Sequence, residues 1–249
     1  MSANINIIYE DKNLVIVNKP PNIEIIDSLG KTDLLSIVKA HFLDTSLEIL
    51  PVHRLDAKTA GLVIFAKNRQ AETQITDAIK SKNIRRLYKC IVKGIPQKTE
   101  ATLTHYLKKD AKGAKVYISN RQNIGYKPII TKYKLLKAFD NDTSNTDTSN
   151  TDVANANITN IKPTNPNAEN YSLLEVELLT GRTHQIRAHL AHMGHQLLGD
   201  DKYGCFAFNK QYKKRRQLLV AYKLILNFGE YKNQTIQLDK NIVDNYLKI

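Results

Sequence analysis

A chain of 249 residues with 37 Lys and Arg against 24 Asp and Glu carries a formal charge of +13, too large for a peptide-sized scaffold and suited to a polyanionic partner such as nucleic acid. Two cysteines, Cys90 and Cys205, lack metal-ligand spacing, which argues against a disulfide framework and leads to the expectation of a reducing, cytoplasmic environment. The N-terminal MSANINIIYEDKNLVIVNKP breaks its apolar runs with charge after a few residues, and no later stretch reaches the roughly 18 apolar residues of a membrane span, so neither a signal peptide nor a membrane contact is expected.

In chain order, strand-like runs fall at 5 to 9, 14 to 18, 62 to 67, 87 to 93, 131 to 139, 171 to 179, 217 to 228 and 234 to 238. Helix-like patterns fall at about 33 to 44, 69 to 82 and 184 to 194, with Thr32 or Asp33 capping the first and Asn68 the second. The class is α+β. One segment stands apart: from Asp140 to Asn170, Asn, Thr, Asp and Ser dominate, and TSNTD occurs twice in tandem at 143 to 152. Such a composition cannot bury enough apolar surface to offset ordering, so a disordered insertion is expected at 140 to 170 within a single domain spanning 1 to 249. The insertion carries a net charge of −4, which leaves +17 on the rest.

PVHRLDAKTAGLVIFAKN, residues 51 to 68, packs His53, Arg54 and Asp56 into a loop that feeds an apolar strand. A loop so anchored can hold one carboxylate rigidly while its neighbours face a ligand. The plainer alternative is that Asp56 and Thr59 satisfy turn amides and His53 and Arg54 are solvated. A second charge-dense turn, LLTGRTHQIRAHLAHMGHQLLGDDKYG at 178 to 204, follows another strand and opens a helix. At about 100° per residue Ile186, Leu190 and Met193 share one face, which leaves Gln185, His189 and His192 on a polar face open to a ligand. The histidines at 184, 189, 192 and 195 form no HExxH pattern or i, i+4 pair and have Arg187 among them, so no metal is expected. Neither cysteine lies in a catalytic motif and GxSxG is absent, so a carboxylate is the best nucleophile candidate.

The chain resembles the RluA type of RNA pseudouridine synthase. The resemblance runs through NLVIVNKPPNI at 13 to 23, HRLDAKTAGLVIFAK at 53 to 67, RRLYKCIVKG at 85 to 94, TGRTHQIRAHLAHMGH at 180 to 195, GDDKYG at 199 to 204 and LLVAYKLILNF at 218 to 228. It departs at Ala60, where Ser or Thr is common, at Asn22, where Gly is common, and at Val220, where His is common. The small RNA-binding domain that precedes many relatives is expected to be missing. The resemblance implies a mixed, largely antiparallel sheet with a central cleft, and isomerisation of uridine without a cofactor.

It maps the essential carboxylate to Asp56, as nucleophile or base. Burial favours a protonated carboxyl, and the family's Arg, here Arg182, is expected to keep it charged. Arg54 would brace the position that the extruded base vacates, and Tyr88 would stack on the uracil. His53, Arg86, His184, Gln185 and Arg187 are counted with Arg54 as expected RNA contacts. The expected partner is RNA, large-subunit ribosomal RNA first and transfer RNA as the alternative, bound by a monomer; the rival reading is a non-catalytic RNA-binding module on the same scaffold, against which Asp56, Tyr88 and Arg182 together argue.

Overall fold

The computed structural model describes residues 5–27, 29–42, 47–110, 115–139 and 169–249. Its elements are β1 Asn6–Glu10, β2 Leu14–Lys19, α1 Leu34–His41, β3 Leu50–Pro51, β4 Ala60–Ala66, α2 Arg69–Lys80, β5 Ile84–Lys93 and β6 Glu100–Lys109. There follow β7 Val116–Ser119, β8 Lys127–Phe139, β9 Tyr171–Leu178, α3 Gln185–His192, α4 Phe206–Gln211, β10 Leu219–Phe228, β11 Tyr231–Gln237 and α5 Lys240–Leu247. The expected α+β class holds. Where one domain is expected, contacts group the chain into two compact units, Met1–Leu87 with Val220–Val243 and Tyr88–Leu219 with Asp244–Ile249, and β5 and β10 each run from one into the other.

In the first unit β1 pairs antiparallel with β2, β2 with β4, and β10 with β11, while β4 and β10 run parallel. Every residue of β2 and of β4 is buried. That explains their sequences: a strand covered on both faces reads as a continuous apolar run rather than an alternation. Each buried Val, Leu, Ile or Phe in them stabilises the unit by about 1.5–3 kcal/mol relative to exposure. Two capped helices flank these strands. The Asp33 side chain accepts from Ser36 N at 2.7 Å and Asn68 from Ala71 N at 2.8 Å, each cap contributing about 1 kcal/mol.

The parallel contact between β4 and β10 sets a steric demand. Gly61 lies opposite Ala221, and a Cβ at Gly61 would stand 2.2 Å from Ala221 O, so only glycine fits. Beside it Ala60 pairs with Val220. Two of the departures noted above are therefore neighbours across one ladder, an apolar pair, both fully buried, where polar residues are common in the family. The third, Asn22, has φ +68, and Asn is among the residues that best tolerate the left-handed region after glycine.

In the second unit β9, β8, β6 and β7 form an antiparallel meander in space. Strands β6 and β7 are absent from the sequence reading, and β8 starts at Lys127 rather than 131. Among the described residues no helix is long and apolar enough to cross a membrane. Of the expected insertion, 140–168 lies outside the described residues. Its last two positions are described: Glu169 pairs with Lys93 Nζ at 2.9 Å, and Asn170 O accepts from Gly94 N at 2.7 Å.

Candidate active site

The His-Arg-Leu-Asp loop joins β3 to β4 in the first unit, and its backbone is tied at several points. Thr59 N donates to Asp56 O at 3.0 Å, closing a turn around the half-buried Asp56, and Asn22 N donates to Ala57 O at 2.8 Å. The same Ala57 carbonyl accepts from Lys19 Nζ at 2.7 Å, and that ammonium also donates to Pro20 O at 3.0 Å and Ile23 O at 2.9 Å. Lys19 ends β2 with 0% exposure. Burial pulls its pKa down to about 8, although the Glu24 and Asp56 carboxylates work in the opposite direction.

His53 Nε2 accepts from Ile64 N at 3.1 Å, where β3 has ended and β4 needs another acceptor. The proton of the neutral ring therefore sits on Nδ1. Burial, then the nearby Arg86 charge, lower the His53 pKa to about 3, so the ring is neutral at physiological pH and offers no charge to a phosphate. Arg86 itself is 9% exposed, and its Nε is buried without a hydrogen-bond partner among the described residues. Arg54, by contrast, is exposed, and with His53, Glu24, Ile26 and Pro51 it lines a cleft of about 280 Å³.

In the second unit Tyr88 is buried on β5 and Arg182 is exposed on the turn before α3. That turn is held by Gln185, whose Oε1 accepts from Arg182 N at 3.0 Å and Thr180 Oγ1 at 2.9 Å, while Nε2 donates to Ile130 O and Thr131 Oγ1. The expectation of an open polar face on this helix is corrected in part here. Gln185 is 2% exposed and His189 0%, whereas His192 is exposed as expected, and Met193, expected on the apolar face, is 42% exposed. Arg187, expected to meet RNA, is 3% exposed. The reason is that β8 offers the polar groups of Ile130 and Thr131, so the side packed on the sheet can be amide and imidazole.

Arg187 makes a bidentate pair with Asp200, Nε to Oδ2 at 2.7 Å and NH2 to Oδ1 at 3.0 Å, and its NH2 lies 3.3 Å from Asp201 Oδ1. Burial would raise the Asp200 carboxyl, but the hydrogen bonds and charge of Arg187 and the amides of Tyr203 and Lys202 outweigh it and hold the group below its ordinary range. His184 has φ +54, and its Nδ1 lies 2.9 Å from Tyr203 OH. His105 Nδ1 lies 2.7 Å from His189 Nε2, and His189 Nδ1 lies 2.9 Å from Thr131 Oγ1, so both His189 nitrogens are engaged. Lys19, Asp200 and Tyr203 stand inside the sequence motifs with no expected role. A fully apolar strand ending in Asn-Lys-Pro was the available signal for Lys19.

The structure of human RNA pseudouridylate synthase domain containing 1 is similar with a TM-score of 0.72 at 20% identity, covering 99% of this chain and 87% of that one. Human RNA pseudouridylate synthase domain containing 4 follows at 0.68 and 20%, covering 98% and 93%. The family model for RNA pseudouridylate synthase matches residues 13–192, and the chain belongs to that family. Ribosomal large subunit pseudouridine synthase D of Haemophilus ducreyi is 31% identical over 208 residues, which cover 80% of this chain and 53% of that protein. Synthase C of Rickettsia felis is 32% identical over 206 residues, covering 80% and 55%. The chain thus spans about half the length of these curated relatives.

Proposed function

We propose that this protein isomerises uridine to pseudouridine in structured RNA, with Asp56 as the catalytic group. The observation that carries the reading is the Asp56 turn, whose backbone is fixed by Thr59, Asn22 and Lys19 at the mouth of buried β4. The reaction is balanced without a co-reactant: the C1′–N1 bond of uridine breaks, the uracil turns, C1′ bonds to C5, the C5 proton leaves to solvent and N1 takes one up. A single ionised carboxylate can serve it, by attack on the sugar or the ring or by removing a sugar proton. The target base must leave its stack, and exposed Arg54 beside the cleft suits the space it vacates. Tyr88 is assigned to the uracil face, and Arg182 is assigned as the catalytic cation.

The remaining expected RNA contacts divide by their surroundings. Gln185 and Arg187 spend their polar groups on the protein, so they brace the turn that carries Arg182 rather than hold phosphate. His53 braces β4 in the same sense, while Arg86 and His184 stay assigned to RNA. The +13 charge supports a nucleic-acid partner, and the names of the curated relatives favour large-subunit ribosomal RNA over transfer RNA as the substrate. Mapping pseudouridines in both RNA pools from cells with and without this protein tests the reading. One ribosomal site that disappears supports it, loss of a transfer RNA site moves the substrate, and unchanged maps contradict it.

A further inference from the structure

We propose that the basic cavity formed by the 199–201 turn, helix α4 and residues 213–215 is a further RNA contact, which grips the phosphates of a short single-stranded stretch while Phe206 stacks on one of its bases. The inference rests on RNA being the partner and adds to that reading a site whose residues take no part in the proposed chemistry.

From Lys202 to Gly229 the sequence holds seven Lys and Arg and no Asp or Glu, densest in Lys-Lys-Arg-Arg at 213 to 216. The fold gathers part of this run around a cavity of about 680 Å³ whose lining includes Phe206, Lys210, Lys213, Lys214, Arg215 and one carboxylate, Asp201, all in the second unit. Close approaches fix its walls. A Cβ at Gly199 would stand 2.0 Å from Arg216 O, so the 199–201 turn lies directly against the basic run. From α4, Asn209 reaches the same turn, its Oδ1 accepting from Gly199 N at 2.7 Å and its Nδ2 donating to Asp200 O at 2.9 Å. The short helix is anchored as well by Phe208, fully buried, and by Tyr212 OH, which donates to Glu169 O at 2.7 Å. The cations therefore extend from a held backbone.

Among the described residues no ion pair or hydrogen bond engages the side chains of Lys210, Lys213, Lys214 or Arg215. Asp201 lies 3.3 Å from Arg187, which already draws on its charge. Arg216, whose NH2 donates to Tyr246 O at 3.1 Å, and Lys248 add positive charge nearby: burial first, then these two cations, hold Lys214 below the ordinary range of an ammonium. Like charges gathered without counter-charge repel one another, and a chain of phosphates relieves that repulsion along its length. Phe206 decides which polyanion fits. Its ring is 81% exposed, and an aromatic face beside a phosphate grip is the combination that single-stranded nucleic acid uses. An acidic protein would take the charges and leave the ring without a role, and a duplex keeps its bases stacked on one another.

The test is binding of a fluorescently labelled single-stranded RNA of about 12 nucleotides, read by anisotropy between about 50 and 200 mM salt. In the combined variant Lys210→Gln, Lys213→Gln, Lys214→Gln and Arg215→Gln, affinity should fall by about tenfold or more at the lowest salt. The slope of log affinity against log salt should shrink by about 2 to 3, at about 0.7 per phosphate contact. Removing four exposed lysines of the first unit, by Lys39→Gln, Lys82→Gln, Lys232→Gln and Lys240→Gln, is the control and should cost far less. Phe206→Leu should lose about fivefold on the single strand and nothing on a duplex of the same sequence, while Phe206→Tyr keeps parental affinity. Unchanged affinity and slope in the combined variant, an equal loss in the control, or parental single-strand affinity in Phe206→Leu overturns the proposal. So does polyglutamate that displaces the RNA from the parent as well as unlabelled RNA of equal charge, an outcome that assigns the surface to an acidic protein. On RNA that the parent modifies, the combined variant should need a higher concentration for half-maximal single-turnover rate and reach the parental rate at saturation; a lower saturating rate at unchanged affinity also overturns the proposal. Binding is read without turnover, so a parent that binds as expected but forms no pseudouridine contradicts the functional reading alone.

Discussion

The two charged motifs look alike as strings, yet they are built in different ways. In the His-Arg-Leu-Asp loop Lys19 and Asn22 brace the backbone of Ala57 from outside the motif, Thr59 N closes the turn on Asp56 O, and His53 is turned inward to Ile64. Arg54 remains exposed. In the Gly-Arg-Thr-His-Gln-Ile-Arg turn the bracing is done from within: Gln185 holds the backbone of Arg182, and Arg187 is committed to Asp200. Charge density in a sequence thus marks a place where the backbone must be held as well as one where a ligand is met. Which charges do the holding depends on whether the sheet beneath offers polar partners.

The sharpest way to break this comparison is to exchange a bracing arginine against an exposed one. Arg187→Ala leaves Asp200 buried without its cation, and the loss of stability should be about 3–5 kcal/mol, read from urea denaturation. A loss under about 1 kcal/mol would mean that the pair is not a structural brace.

Acidification should weaken the His-Arg-Leu-Asp loop and helix α3, because each contains a histidine held neutral by burial. The pKa values of His53 and His189 are lowered to about 3, by burial first and then by Arg86 for His53 and His105 for His189. Below the ordinary 6.5 the unfolded chain takes up protons that the folded chain refuses, so stability is full above 6.5 and falls as pH drops toward 3. Asp200, held below its ordinary 3.8, adds a further loss at the acid end of that range. Urea midpoints measured from pH 8 to 4 should start to decline near 6.5, and a maximum at pH 5 would contradict neutral burial.

The smallest stability effect belongs to Arg54→Ala. An exposed side chain away from the core should change stability by less than about 0.5 kcal/mol. RNA affinity or single-turnover rate should nevertheless fall in this variant. Parental values of both would remove Arg54 from the interface.

Much of the first unit was legible because its chemistry is local. Strand β4 and the first four residues of β2 are uninterrupted apolar runs, and Asp33 and Asn68 stand where their helices need an oxygen. Strands β6 and β7 escaped because Glu100–Lys109 mixes Thr, His and Lys on a half-covered surface, where pairing with β8 rather than an apolar pattern makes the strand. Helix α5 escaped although Val243 and Leu247, both buried, stand four apart, since one such pair in eight residues is a weak period. The polar face expected on α3 is open only at His192, and for a different reason: periodicity identifies a face but not its neighbour, and the neighbour of Gln185 here is β8, through Ile130 O and Thr131 Oγ1. Lys19 illustrates the same limit. A lysine at a strand end looks like ordinary surface charge until the three carbonyls around it are seen.

The central claim is that the braced loop exists to present one carboxylate, and Asp56→Asn tests it most directly. The amide keeps the shape of the side chain and removes its charge. Single-turnover assay on the RNA that the parent modifies should show no pseudouridine, while RNA affinity stays within about tenfold, equivalent to about 1.4 kcal/mol. Parental turnover by Asp56→Asn would contradict the account.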